Sequence, residues 1–260
     1  MPPSRRSTAR RLDVPVPPTI KVTIADQIYI DRSELPSAMI AQLVRLAAFQ
    51  NPEFYRAQAM RLPTFGKPRI VSCTELHPRH VALPRGSFDE VVGFLSDHGV
   101  TAELDDLRED GTRLPETVCF RGELRQQQSR AFEALAEHDT GVLAATTAFG
   151  KTVVASALIA RRASNTLVLV HRRELLSQWI ERLKSFLQID PKQIGTIGAG
   201  KRKPTGVIDV ALIQSLVRKG EVDDIVADYG HLVVDECHHL SAASFELVAR
   251  RSKARYVTGL

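Results

Sequence analysis

The rhythm of apolar and polar residues changes near the middle of the chain and divides it in two. In the first part, TIKVTIADQIYI (19–30) alternates apolar and polar positions and predicts one strand with a single buried face. A helix is predicted over 36–49, and Pro52 can open another at its first turn. RIVSCTEL (69–76) and HVALPR (80–85) read as strands about a turn at Pro78. Ser87 is the expected cap of a helix running through SFDEVVGFLSDHG and stopping at Gly99, and TAELDDL (101–107) is a further strand. Together these elements make a small α+β domain over residues 19–112, separated from the second part of the chain by a linker, EDGTRLPE (109–116).

From Phe120 onward, strongly apolar strands alternate with amphipathic helices. A helix over 125–138 precedes GVLAATT, GKTVVASALIARR, TLVLVH, RRELLSQWIERLKSFL, VIDVALI, HLVVDEC, ASFELVARR and ARYVTGL. Strands this uniformly apolar are buried on both faces, as in a parallel sheet with helices on either side. Right-handed crossovers then give a doubly wound α/β layer over 113–260, whose ligands lie at the carboxyl ends of the strands. Trp179, at helical spacing with Leu175, Leu176 and Leu183, belongs to the core rather than to a base-stacking surface.

Composition narrows the class. The chain is 43% hydrophobic and 25% charged, as expected of a soluble globular protein. No apolar run approaches the roughly 20 residues of a membrane-spanning helix, so no membrane partner is expected. Residues 1–18 read as a disordered basic tail without the apolar core of a secretory signal. Cys73, Cys119 and Cys237 are too scattered for a metal site or a disulfide framework, which points to a reducing cytoplasm. The net charge of +5 arises mostly in the tail. Arg5, Arg6, Arg10 and Arg11 lie in the first 12 positions with no acid, and the remaining chain holds 31 basic and 30 acidic residues. Charge alone therefore names no partner for the folded part.

Two segments carry chemistry. ATTAFGKT (145–152) follows an apolar strand and opens a helix, the context a phosphate-binding loop requires. Ala145 stands where G-x-x-x-x-G-K-[ST] has its first glycine. Ala148, Phe149 and Gly150 lead into the helix start, where backbone N–H groups and the helix dipole favour an anion. Lys151 can neutralise phosphate oxygens, and the Thr152 hydroxyl can face a magnesium ion. In HLVVDECHH (231–239), Asp235 and Glu236 end an apolar strand at the same sheet edge. One of these carboxylates can hold magnesium, and the other can orient or deprotonate an attacking water.

The ordered set resembles the first RecA-like domain of a superfamily 2 helicase of the DExH type, over about residues 118–260. ATTAFGKT resembles its motif I, and DECH (235–238) its motif II, in which His238 would couple hydrolysis to movement. LRQQQ (124–128) resembles an element whose glutamine recognises adenine, which implies that role for Gln128. LVLVHRRELLSQW (167–179) resembles motif Ia, and His171, Arg172 and Arg173 within it either touch nucleic-acid phosphates or cap the sheet edge. DVALIQSL (209–216) resembles the segment that would set Gln214 and Ser215 beside a nucleic-acid backbone. The wording is most similar to xeroderma pigmentosum group B-like and type III restriction-like helicases.

The resemblance implies a RecA-like P-loop NTPase domain preceded by the small α+β domain, with ATP and Mg2+ as cofactors. DNA is the expected partner, duplex or single-stranded, with RNA as the alternative. It also implies a second RecA-like domain, in cis or in trans, because the chain ends at RYVTGL before motif III. These 260 residues are accordingly expected to bind ATP weakly, hydrolyse it slowly and unwind nothing by themselves. The small domain is a candidate DNA-binding module in which Arg56, Arg61, Lys67 and Arg69, around LPTFGKP, form either a phosphate-contacting surface or a solvated charged face. The loop GAGKRKPTG (198–206) is read likewise, as a nucleic-acid contact or a solvated turn. Two other functions fit the motifs: the motor of a restriction or defence system that moves without unwinding, and a non-enzymatic nucleic-acid-binding fragment.

Overall fold

A computed structural model describes residues 15–146, 148–237 and 242–260. Most of the basic tail, Thr147 of the phosphate-binding loop and the candidate coupling residue His238 lie outside the described residues. The chain forms two compact units, the first ending at Asp106 and the second beginning at Leu107.

The first unit contains β1 (Thr19–Ile24), β2 (Ile28–Asp31), α1 (Ser37–Leu46), β3 (Ala48–Gln50), α2 (Pro52–Ala59), β4 (Ile70–Ser72), β5 (Glu75–Leu76), β6 (His80–Leu83), α3 (Phe88–Asp97) and β7 (Thr101–Asp106). Its sheet runs β5-β6-β2-β1-β7, with β7 parallel to β1 and the other pairings antiparallel. Val22, Ile28, Ile30, Val81 and Leu83 meet Met39, Leu43, Val91 and Leu95 of α1 and α3 in one core.

The single strand expected over 19–30 is a hairpin, with Ile24 opposite Ile28 and Val22 opposite Ile30. Its loop, 25–27, is three residues long. An odd loop keeps even-numbered positions on one face of both arms, so the alternation runs through the turn unbroken. The expected strand over 69–76 is likewise two pieces, β4 paired with β3 and β5 paired with β6. Helix α1 stops at Leu46 rather than Phe49, because Ala48–Gln50 pairs as a strand. Ser87 precedes α3, but its side chain makes no capping hydrogen bond. The helix end is as expected: Gly99 takes φ +74°, and Gly99 and Val100 donate to the Ser96 and Leu95 carbonyls.

The second unit contains β8 (Cys119–Phe120), α4 (Gln126–Ala136), β9 (Thr140–Val142), α5 (Lys151–Arg162), β10 (Thr166–Val170), α6 (Arg173–Phe186), β11 (Leu187–Gln188), β12 (Ile194–Gly198), β13 (Lys201–Lys203), β14 (Ile208–Leu212), α7 (Ile213–Leu216), β15 (Val217–Arg218), β16 (Glu221–Val222), β17 (His231–Val234), α8 (Ala242–Arg251) and β18 (Tyr256–Gly259). Its main sheet runs β13-β12-β14-β10-β17-β18-β9 and is parallel except at β13. Every residue of β10, β14 and β17 is buried. Val168, Val170, Val210 and Val233 face α4, α5 and α6, whereas Leu167, Leu169, Leu232 and Val234 face α7 and α8. Helices thus cover both faces, and the fold is the RecA-like α/β layer read from the sequence.

Two segments differ from expectation. EDGTRLPE is packed onto the second unit: Leu114 donates to the Ala163 carbonyl at 2.8 Å, and Glu109 bridges to Ala254. Part of GAGKRKPTG is the edge strand β13, paired with β12; the glycines of IGTIG obscured β12 in the apolar pattern.

The last turn of α5 is anchored by Arg162. Its guanidinium donates to Nε2 of the fully buried His231 at 2.8 Å, to Thr258 Oγ1 at 2.6 Å and to the Leu135 and His138 carbonyls. Burial, and then the Arg162 charge, hold the His231 imidazole well below its usual pKa. The unfolded chain, with an ordinary histidine near 6.5, takes up this proton first. Stability is therefore expected to be complete above about pH 6.5 and to fall as pH drops below it. Urea unfolding across pH 4.5–8 should show that loss, and His231→Gln should flatten it.

Candidate active site

The loop before α5 needs unusual backbone. Ala148 sits at φ +67°, and Gly150 caps α5 at φ +88° and ψ +43°. A Cβ at Gly150 would lie 2.5 Å from Gln128 Nε2 and displace that amide, and the positive φ itself favours glycine there. No side chain caps α5, and its first-turn N–H groups face the carboxyl edge of the sheet. Lys151 and Thr152 occupy the first two helical positions.

The same edge receives the end of β17. Asp235 is only 7% exposed, and its backbone N–H donates to the Leu169 carbonyl at 3.0 Å. Its Oδ2 accepts from the Trp179 indole N–H at 2.7 Å, and its Oδ1 accepts from the Glu236 N–H at 3.0 Å. Burial pushes the Asp235 carboxyl above its usual pKa; the Trp179 bond opposes this, Glu236 adds to it, and Lys151 opposes it again. Glu236, at φ +49°, brings its Oε1 to 3.8 Å from Lys151 Nζ. Lys151 and the adjacent pair Asp235 and Glu236, which lie 84 and 85 positions after it in sequence, therefore form one charged cluster.

Gln128 is almost completely buried. Its Oε1 accepts from the Arg125 N–H at 2.9 Å, and its Nε2 donates to the Phe149 carbonyl at 2.8 Å. The Arg125 guanidinium reaches the same carbonyl and that of Ala148. Gln128 thus braces the loop from the start of α4. Arg125, Gln126, Gln127, Gln128 and Phe149 also line a cavity of about 210 Å³ beside the loop.

A second group gathers across the sheet edge. Gln214 at the start of α7 donates to the His171 carbonyl at 3.3 Å, which joins the expected motif Ia to the expected backbone-contacting segment. Arg172 and Arg173 are exposed at the start of α6, and neither forms a side-chain cap there. Gln214 and Ser215 line a groove of about 670 Å³ together with Lys201, Arg202 and Arg218. The 198–206 segment therefore shares a surface with Gln214 and Ser215, which no sequence pattern signalled.

Residues 121–260 match the family model described as type III restriction enzyme, res subunit, which is more than half of the chain. The chain belongs to this family. It is a superfamily 2 helicase-type chain of the group B-like and type III restriction-like kind. It is 30% identical over 138 residues to the DNA 3'-5' translocase XPB2 of Sulfurisphaera tokodaii, covering 53% of this chain and 30% of that protein. It is 29% identical over 147 residues to the DNA 3'-5' helicase XPB of Mycobacterium tuberculosis, covering 54% and 27%. The chain thus spans less than a third of the length of these relatives. The solved UvsW helicase of bacteriophage T4 shares the fold at TM-score 0.65 and 18% identity, over 93% of this chain and 91% of that one.

The sequence placed Trp179 in the core and missed its bond to Asp235, and it did not separate Arg125 from its neighbours. The signal for Trp179 was chemical. A fully buried tryptophan needs an acceptor for its N–H. Trp179→Phe should keep most of the packing and leave the buried carboxylate short of a donor. A loss of about 1–3 kcal/mol in unfolding free energy is expected, measured by urea titration at pH 7.

Proposed function

We propose that this chain is the nucleotide-binding part of an ATP-dependent helicase or translocase acting on DNA. The observation that carries the reading is the convergence of Lys151, Asp235 and Glu236 at one sheet edge, with Lys151 Nζ 3.8 Å from Glu236 Oε1. The donor set fits the nucleotide and its metal. First-turn N–H groups of α5 and the Lys151 ammonium suit phosphate oxygens, and the hard oxygens of Thr152 and Asp235 suit Mg2+. Bound Mg2+ would supply neutralisation of charge on the β- and γ-phosphates. Glu236, half-exposed and beside Lys151, orients the attacking water and accepts its proton. The Trp179 indole keeps Asp235 in place and opposes its protonation. The cavity lined by Gln128 and Phe149 accepts the base, and the spare N–H and lone pair of the Gln128 amide can read adenine.

Nucleic acid lies along the groove of Gln214, Ser215, Lys201, Arg202 and Arg218, with His171, Arg172 and Arg173 beside it and His238 coupling the two sites. A second RecA-like domain, in cis or in trans, closes on the nucleotide and supplies an arginine worth about 10³–10⁵ in rate. The related XPB2 and XPB proteins named above, described as a DNA translocase and a DNA helicase, favour DNA over RNA. The restriction-enzyme family description favours a second reading, movement along duplex without strand separation.

Two variants test the nucleotide site. Lys151→Ala should weaken a fluorescent ATP analogue at least tenfold, and equal affinities would remove the reading. Glu236→Gln should keep that affinity and, in the intact motor, lower DNA-stimulated hydrolysis by about 10²–10⁴. Unchanged turnover would displace Glu236 from its role. Stimulation by duplex, single-stranded DNA and RNA, with a forked-duplex unwinding assay beside it, decides between unwinding and translocation.

A further inference from the structure

Phe65 of the first unit is 99% exposed. It contributes nothing to the core, yet it is held in a defined place. The Lys67 N–H donates to the Thr64 carbonyl at 3.1 Å and closes a turn whose third residue, Gly66, takes φ +75°. That backbone sets Phe65 at the second position of a type II turn. Both feet of the loop are tied to the ends of α2. Leu62 donates to the Ala57 carbonyl at 2.8 Å, Asn51 Nδ2 donates to the Pro68 carbonyl at 2.8 Å, and the Asn51 N–H donates to the Arg69 carbonyl at 2.9 Å. Pro63 and Pro68 stiffen the stem on either side. A Cβ built on Gly66 meets nothing within 4 Å, so the tip stands in open space.

The surroundings are cationic. Residues 49–72 contain Arg56, Arg61, Lys67 and Arg69 against a single acid, Glu53. Arg56, Arg61 and Arg69 are exposed, and the exposed Leu62, Met60 and Ile70 give the turn an apolar footing. An exposed aromatic on a closed turn, with Arg61, Lys67 and Arg69 within four positions of it in sequence, has the chemistry of a nucleic-acid stacking site: the cations follow the phosphates, and the ring takes the face of a base. Bases inside a duplex are already stacked on each other, so the ring needs an unpaired base or an end.

We propose that Phe65 is a base-stacking residue and that the 60–70 loop binds the unpaired strand of a single-stranded or forked nucleic acid. This inference rests on the reading of the chain as a nucleic-acid motor and adds a contact in the first unit, outside the motor's groove.

Fluorescence anisotropy with labelled single-stranded, forked and blunt-duplex DNA tests it on the 260-residue chain. Phe65→Leu is expected to fold as the wild type and to weaken single-stranded and forked DNA about tenfold, with little change for blunt duplex. Phe65→Trp should retain affinity, and its emission should be quenched as oligonucleotide is added. Lys67→Ala with Arg69→Ala should reduce the salt slope. Equal binding of all three DNAs by wild type and Phe65→Leu would overturn the proposal, as would an unquenched Phe65→Trp at saturation. It would also be overturned if Phe65→Leu left DNA binding intact and abolished self-association in sedimentation, since the patch would then be a protein contact. A wild type that binds none of these DNAs would overturn the motor reading itself, whereas binding indifferent to Phe65 would overturn only this site.

Discussion

A carboxylate that is 7% exposed at the end of a wholly buried strand has to find donors, and the Trp179 indole ties this one to the core. The rest of the site depends on that bond. Burial raises the Asp235 pKa and the adjacent Glu236 charge raises it further; the hydrogen bond from the Trp179 ring inside the core is the largest of the influences that oppose them, ahead of the Glu236 N–H and the Lys151 charge. Trp179 is positioned by α6, which packs through Leu176 and Leu183 on the same face of the sheet as Val168 and Val233. Apolar packing in one layer thus decides where a charged oxygen sits at the edge.

The phosphate-binding loop is held by a comparable arrangement. It has one glycine at the helix start, and Ala148 adopts a left-handed conformation that costs a non-glycine residue about 1–2 kcal/mol. Glycine-rich loops reach such backbones without strain; this one is held from outside, by Gln128 and Arg125 bonding the Phe149 carbonyl. Glu236, at φ +49°, is a second strained position facing Lys151. Strain at both sides of one charged cluster persists because the surrounding sheet and helices over-determine it.

The first unit uses the same physics on a smaller scale. Its hairpin, helices α1 and α3 and its parallel edge strand bury one apolar face. Only glycine reaches the φ of Gly66 without strain, and prolines restrict the stem around it. An exposed aromatic on such a mount is a local decision of the chain, visible as TFG between two prolines, whereas its exposure depends on what packs around the loop.

Much of the second unit was legible in advance. Uniformly apolar strands alternating with amphipathic helices fit a parallel sheet covered on both faces, a loop whose GKT opens the next helix presents its N–H groups at the sheet edge, and a strand ending in Asp235 and Glu236 brings carboxylates to that edge. The chain by itself therefore determined the layer, the edge and the residue types of the site, because each is set by local periodicity and covalent spacing. It could not determine pairings that depend on closure in three dimensions. The 19–30 hairpin hid behind an odd-length loop that preserves parity, β12 hid behind its glycines, and the Trp179–Asp235 bond spans 56 positions. Gln128 shows the same division: its amide was recognisable as a binding group, but only packing against Phe149 makes it the brace of the loop. Hydrogen bonds of this kind link surfaces that meet only after the sheet has formed, so their partners are selected by the tertiary structure rather than by any segment of sequence.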